Sequence, residues 1–168
     1  MKIAIYRHQL FAPSEPFIAM QTSLTQGFTP VYVGTELLGS PPEDFDVFYR
    51  CHMKAMQRCT RYNPSLHEWL KGHKVRLIHA HFAIDATYAL PLSRKLGIPL
   101  VTTFHGVDAT ATRKALLTSR KVSWLLYLLH RAELRRSGRL FLCVSDFIRE
   151  RVLKLGFPED RVLTHYSG

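Results

Sequence analysis

The stretch Val75–Asp108, reading VRLIHAHFAIDATYALPLSRKLGIPLVTTFHGVD, leaves this chain little choice of architecture. Val75–His79 is a short apolar run. Ala83–Lys95 repeats apolar residues at helical spacing, Gly97 stands where a helix would stop, and Ile98–Phe104 is apolar again. Strand, helix and strand within about thirty residues is the length of one βαβ unit, which commits its two strands to run parallel. Histidines close both strands: His79 and His81 after the first, His105 after the second. Open parallel sheets bind ligands in the crevice at the carboxyl ends of their strands, so titratable residues placed there are the first functional signal.

The flanking sequence repeats the pattern. Lys2–Tyr6 reads as an opening strand. After a loop at Phe11–Pro13, Ser14 is the expected N-cap of a helix with Glu15 and Pro16 in its first turn, running to about Gln26 and stopping at Gly27. Phe28–Gly34 reads as a strand in which Pro30 implies an irregular start or an edge position. Signals are weakest from Thr35 to Gly72. The prolines and acids around Pro41–Asp46 indicate loop, Tyr49–Cys59 suits a short strand or a weak helix, and Pro64–Leu70 suits a short helix capped by Asn63. Leu140–Val144 reads as a buried strand. Ser145 or Asp146 then caps a helix to about Leu155, ended by Gly156 with Pro158 beyond, and Arg161–His165 is a last strand. The expected class is α/β, with an open, mostly parallel sheet in a single domain of 168 residues.

Composition excludes several classes. The chain is 46% hydrophobic and 21% charged, the balance of an ordinary globular domain. No apolar run approaches the ~18 residues of a membrane span, and MKIAIYRHQLF is too short and polar for a secretory leader. Cys51, Cys59 and Cys143 form no paired framework, which fits a reducing, cytoplasmic compartment; Cys143 reads as a buried thiol.

The net charge of +10 favours anionic partners: nucleic acid, anionic lipid or a phosphorylated small molecule. Most of the surplus falls in Ala109–Arg139, where Arg113, Lys114, Arg120, Lys121, Arg131, Arg135, Arg136 and Arg139 face one acid, Glu133. The middle of that segment, Val122–Leu129, is nearly apolar, with Ser119 available as its cap. Three readings stay open here. One is a core helix with charged ends. Another is a helix on an anionic membrane surface, with Trp124 and Tyr127 at the interface and Arg131, Arg135 and Arg136 near lipid phosphates. The third, a nucleic-acid face, is disfavoured because the aromatics lie inside the leucine run and are not interleaved with the basic residues.

Among chemistry-bearing residues, His79 and His81 share a strand face, and with His105 and Asp108 they suggest a metal site. No cysteine or H-E-x-x-H accompanies them, so His79 is read as a packed strand residue. His105-Gly106-Val107-Asp108 is the sharper signal: Gly106 allows a tight turn and close approach to a ligand, His105 can donate to a hydroxyl or an anion, and Asp108 can cap the next helix. A nucleophile elbow is absent, and Ser14 and Ser145 are explained by capping. The first turn, LFAPSEPF, has no glycine, so no dinucleotide fingerprint exists. Ser145 and Arg149, at the start of the last helix, form a candidate anion site.

Several segments together resemble the N-terminal domain of the GT4 family of GT-B glycosyltransferases: Ala80-His81-Phe82, Leu96–Pro99, Thr103–Asp108, Val144–Arg149 and Gly156–Gly168. They correspond to the family's A-H-F segment, its L-G-I-P helix end, its T-x-H-G-x-D turn, its V-S-x-x-x-R helix and the closing G-x-P segment. The resemblance covers essentially the whole chain and is strongest from about residue 75 onward. It implies a Rossmann-like sheet with helices on both faces, one half of a GT-B fold. It also implies retaining sugar transfer from a nucleotide-sugar to a glycan or lipid-linked acceptor, with no cofactor and no essential metal. By this match His105 reaches the transferring sugar, and Ser14, Glu15, Phe17, His81, Gly106, Asp108, Ser145 and Arg149 line or support the cleft. Residues 1–168 then form the acceptor-side domain, working at the cytoplasmic membrane face with no nucleic-acid partner, while the donor-binding Rossmann-like domain lies outside this chain. A non-catalytic membrane- or partner-binding module is the alternative. One departure stands out: Pro13-Ser14-Glu15-Pro16 replaces the glycine-rich turn of many members.

Overall fold

The computed structural model describes residues 1–24, 26–41, 44–49 and 60–166. In chain order the elements are β1 (Lys2–Tyr6), β2 (Gln9–Leu10), α1 (Pro16–Leu24), β3 (Thr29–Gly34), β4 (Glu36–Leu37), β5 (Val47–Tyr49) and α2 (Pro64–Gly72). The central unit follows as β6 (Leu77–His81), α3 (Ala83–Leu96) and β7 (Leu100–Phe104). After it come α4 (Val107–Thr110), α5 (Arg113–Thr118), α6 (Val122–Ser137), β8 (Leu140–Cys143), α7 (Asp146–Lys154), a 3₁₀ turn (Glu159–Arg161) and β9 (Val162–Thr164).

The main sheet has seven strands in the order β5-β3-β1-β6-β7-β8-β9, and every pairing in it is parallel. The chain winds outward from β1 through β3 to β5, then crosses back to place β6 on the other side of β1. The strand order therefore reverses between β1 and β6, the place where such sheets open a ligand crevice.

Alternation along the strands decides which residues enter which core. Ala4, Tyr6, Val31, Val33, Ile78, Ala80, Phe104 and Phe141 pack on one face under α2, α3, α6 and α7. Ile3, Ile5 and Tyr32 point the other way and meet Ile18 of α1. Helices thus cover both faces, but unequally. Beside α1, the face bearing Leu77, His79, Val101, Leu140 and Leu142 lines a cavity of about 570 Å³.

Local signals mostly hold. Asn63 Oδ1 accepts from the Leu66 amide at 3.2 Å, Ser145 Oγ accepts from the Ile148 amide at 3.3 Å, and Gly97 ends α3 at φ +66°. Cys143 is fully buried. Several expectations are corrected. The first helix begins at Pro16, two residues past the exposed Ser14, and Gly27 stands beyond its end at φ +82°. Strand β3 is interior, not an edge. Its Pro30 is tolerated because β5 pairs only with Tyr32–Gly34, so the missing N–H falls where no partner strand has begun. Ser119 does not cap α6: it closes α5, accepting from the Lys121 amide at 3.3 Å, and α6 starts without a side-chain cap. The strand-or-helix reading of Tyr49–Cys59 falls, beyond Tyr49, outside the described residues, as do Cys51 and Cys59.

Candidate functional site

Two adjacent parallel strands, β6 and β7, deliver their terminal histidines to one place. His81 ends β6, and its Nδ1 lies 3.0 Å from Nε2 of His105, which follows β7. Their rings stack at 5.3 Å, and His79 stacks on the far side of His81 at 4.5 Å while its Nε2 meets Thr103 Oγ1 at 2.7 Å. His105 is half-buried, flanked by Phe17 of α1 at 5.1 Å and Phe82 at 4.5 Å. Burial pushes both His79 and His105 down to about 4, and His81 falls well below its ordinary value for the same reason. All three rings are therefore neutral at neutral pH.

His81 borders, with His79, the cavity of about 570 Å³ beside α1. It is 1% exposed and stands behind His105, holding that ring by its hydrogen bond. Its Nε2 has no hydrogen-bond partner among the described residues. The more accessible imidazole of the pair is His105.

Asp108 is also corrected. The short helix α4 begins at Val107 with Gly106 in the cap position, so Asp108 sits inside the helix rather than capping it. Its carboxylate, 2% exposed, accepts from the Ala83 amide at 2.8 Å and the Gly106 amide at 3.1 Å. Phe82, at the start of α3, has no side-chain oxygen to cap that helix. Asp108 supplies the acceptor from the neighbouring turn instead, joining the two βα turns that carry the histidines. Its own carbonyl accepts from Tyr127 Oη at 2.9 Å, which ties α6 to the same point. Burial raises this carboxyl to about 6, against the pull of the backbone amides. Gly106 is held at φ +148°, a conformation that other residues adopt only with strain.

Arg7, directly after β1, is the residue that sequence reasoning missed. Its guanidinium takes Glu15 in a fork, Nε to Oε2 and Nη2 to Oε1 both at 2.8 Å, and reaches Asp85 Oδ2 through Nη1 at 2.6 Å. It also lies over the Phe82 ring, 4.3 Å from the centroid. Asp85, 3% exposed in the first turn of α3, accepts a further bond from the His8 amide at 2.9 Å. The arginine thus locks the start of α1 to the start of α3 across the strand-order reversal. A signal was present: a cation immediately after the first strand lies at the carboxyl end of a parallel sheet.

Beside this lock opens a cavity of about 380 Å³ lined by Arg7, His8, Gln9, Glu15, Phe82, Asp85, Val107, Lys121 and Trp124 among others. Of the sequence candidates, Glu15 lines this cavity, while Phe17, His81, Gly106 and Asp108 gather with His105 at the tip of β7. Ser14 is exposed on the loop before α1. Ser145 and Arg149 do not form an anion site. Ser145 Oγ is engaged by its own helix, and Arg149 turns away to Glu159 Oε1 at 3.1 Å and the Val162 carbonyl at 3.4 Å. Asp146, at the first position of α7, takes Thr164 Oγ1 at 2.6 Å and Tyr166 Oη at 2.7 Å.

The α6 candidates separate as well. Tyr127 is fully buried and cannot lie at a membrane interface. Arg135 donates to the Leu155 carbonyl at 2.9 Å, closing the end of α7 rather than facing lipid. Trp124 is half-buried on the cleft side, Arg131 is half-buried with its guanidinium 5.9 Å from the Tyr127 ring, and Arg136 is exposed. Among the described residues no three His, Cys, Asp or Glu side chains converge as metal ligands, and no helix is long and apolar enough to cross a membrane.

Comparison with known proteins follows the same lines. The family model described as Glycosyltransferase Family 4 matches residues 25–168. None of the curated proteins compared with the sequence matches it. Solved structures share the fold at low identity. The lipopolysaccharide outer core galactosyltransferase WaaB, in its apo form, is 13% identical with a TM-score of 0.65, over 99% of this chain and 45% of its own. The Anabaena protein HepE in complex with UDP is 15% identical with a TM-score of 0.62, over 100% and 44%. UDP-N-acetylglucosamine 2-epimerase from Rickettsia bellii is 11% identical with a TM-score of 0.64, over 98% and 44%. The chain spans less than half the length of these structures.

Proposed function

Because the chain belongs to Glycosyltransferase Family 4, we propose that it supplies the acceptor-side wall of a cleft. There a sugar passes, with retention and without an essential metal, from a nucleotide-sugar to a glycan or lipid-linked acceptor. The observation that carries this reading is His105, a neutral imidazole at the carboxyl end of β7, oriented by His81 and bracketed by Phe17 and Phe82. A retaining transfer develops positive character on the sugar and negative charge on the leaving phosphate, so oriented dipoles in a partly dry cleft stabilise it most.

With Nε2 held by His81, Nδ1 of His105 is the atom left to meet a sugar hydroxyl. The carboxylates nearby are already engaged, Glu15 by Arg7 and Asp108 by backbone amides. This wall therefore offers hydrogen bonding rather than the nucleophilic carboxylate of a retaining hydrolase. The likeness to HepE, whose structure holds UDP, supports a uridine-linked donor. Donor binding is assigned to a second Rossmann-like half outside this chain, a reading supported by the 44–45% of each matched structure that the chain spans. The transfer is assigned to the cytoplasmic side of the cell membrane.

The test is turnover of a panel of nucleotide-sugars by the 168-residue chain, alone and with a separately expressed donor-side half from its own or an adjacent reading frame. We expect none from the chain alone. With the second half present, we expect transfer with retained anomeric configuration, lost in His105→Ala. Turnover by the chain alone overturns the division of labour, an inverted product overturns retention, and full activity in His105→Ala overturns the role of His105.

A further inference from the structure

We infer that His81 is a positioning residue that fixes the tautomer of His105 and makes its free nitrogen, Nδ1, a hydrogen-bond donor. A neutral imidazole carries one hydrogen, on one of its two nitrogens, and the bond made by one nitrogen settles the state of the other. His81 Nδ1 and His105 Nε2, 3.0 Å apart, have one hydrogen between them. If His105 supplied it, the hydrogen of His81 would stand on Nε2. If His81 supplies it, Nε2 of His81 is bare and the hydrogen of His105 stands on Nδ1. Both arrangements contain the same shared bond, so the two outer nitrogens decide between them.

The inner nitrogen is the constrained one. His81 is 1% exposed, and its Nε2 is buried with no hydrogen-bond partner among the described residues. The ring is stacked on His79 at 4.5 Å and on His105 at 5.3 Å. Turning it to give Nε2 a partner would break the bond to His105. The neighbouring His79 commits its own Nε2 to Thr103 Oγ1 at 2.7 Å. An N–H enclosed at His81 Nε2 would therefore have nothing to donate to, and orphaned buried N–H groups are rarer in folded proteins than unpaired acceptors. A bare lone pair is the lesser loss there. At the outer end the constraint is absent: His105 is half-buried, so hydrogen on its Nδ1 keeps access to a partner.

The consequence is chemical. A nitrogen that bears hydrogen recognises an oxygen lone pair and has none of its own to take a hydroxyl proton, so neutral His105 acts as a fixed dipole and not as a base. That the oxygen belongs to the transferring sugar rests on the transferase reading; the tautomer does not. His81 touches no ligand in this arrangement and acts through His105 alone.

The experiment is nitrogen-15 NMR of the isotope-enriched chain at neutral pH, with no nucleotide-sugar present. Long-range proton–nitrogen correlations tell a nitrogen that carries hydrogen from a bare one in each ring. Hydrogen is expected on Nδ1, and none on Nε2, in both His81 and His105. Two variants, checked for folding by circular dichroism, test which residue sets this. His81→Asn keeps an N–H near the place of Nδ1 and should leave the His105 hydrogen on Nδ1. His81→Phe keeps a ring in the stack but removes the donor, and should shift that hydrogen to Nε2, the nitrogen that a free histidine side chain favours. Hydrogen on His105 Nε2 in the wild-type chain overturns the proposal, and so does a folded His81→Phe in which it stays on Nδ1. The wild-type spectrum decides by itself if a variant fails to fold. The expected tautomers without turnover in any pairing of the two halves would fault the transferase reading and uphold the role of His81.

Discussion

His81 and His105 share one hydrogen bond, Nδ1 to Nε2 at 3.0 Å, between the ends of two neighbouring parallel strands. One nitrogen donates and the other accepts, so the bond exists only while the accepting ring is neutral. His81 lies 1% exposed, which keeps it neutral and makes it the support on which the more accessible ring turns. An imidazole of fixed orientation and no charge at the tip of β7 is the consequence.

That neutrality can be read directly. Nitrogen-15 resonances of His79 and His105 are expected to titrate with midpoints near 4, and both rings should be uncharged at pH 6.5. A midpoint close to the ordinary histidine value for His105 would contradict the buried geometry.

Stability should fall on acidification below neutrality. Each imidazole has a folded-state value lowered by burial, so the unfolded chain gains its proton first and stability is lost as the pH drops from about 6.5 through about 4. Asp108 acts in the opposite sense: its raised carboxyl contributes stability below its unfolded value of 3.8, lost as the pH rises through about 6. Three imidazoles outweigh it. Urea midpoints measured at several pH values across that window should rise with pH, and His79→Gln/His105→Gln should flatten the slope.

Replacing Arg7 by methionine leaves Asp85 buried without its cation and releases Glu15 from the fork. Breaking a buried pair on one side costs about 3 kcal/mol or more, and that loss is expected in denaturant unfolding. Arg7→Lys should recover only part of it, because an ammonium cannot span both carboxylates or stack on Phe82 in the same way. Full recovery by lysine would show that charge alone matters.

Helix α3 contains Pro91, which has no N–H for the Thr87 carbonyl four residues before it. Arg61 Nη1 donates to that carbonyl at 2.8 Å, and its Nη2 reaches Glu133 at 2.7 Å. Arg61→Ala should cost about 2 kcal/mol by orphaning a buried carbonyl. Pro91→Ala restores the helical donor, so the double variant should be less destabilised than the sum of the two single changes. Strict additivity would remove the arginine from this role.

Much of this was legible in the residues. The apolar runs in Lys2–Tyr6 and Ile98–Phe104, the stop at Gly97 and the caps at Asn63 and Ser145 act within a turn or two of chain, where sequence neighbours are also spatial neighbours. The same holds for the turn His105-Gly106, which needs only a strand end and a glycine. The reading of Ser119 failed for a related reason. Two helices meet there, and the serine closes the earlier one.

Local residue chemistry therefore specifies a parallel α/β sheet and marks the histidine at the tip of β7. Packing of distant segments is what makes Asp108 cap a helix other than its own, sets His81 behind His105, gives Arg7 to Glu15 and Asp85, and lets Arg135 close α7 while Leu125 and Leu129 face outward. Each of these depends on which strands become neighbours at the sheet's reversal and on which side of α6 meets α3. Residues 8 to 78 positions apart are brought within hydrogen-bond distance by that winding, and a buried carboxylate or guanidinium takes whichever partner the fold sets beside it.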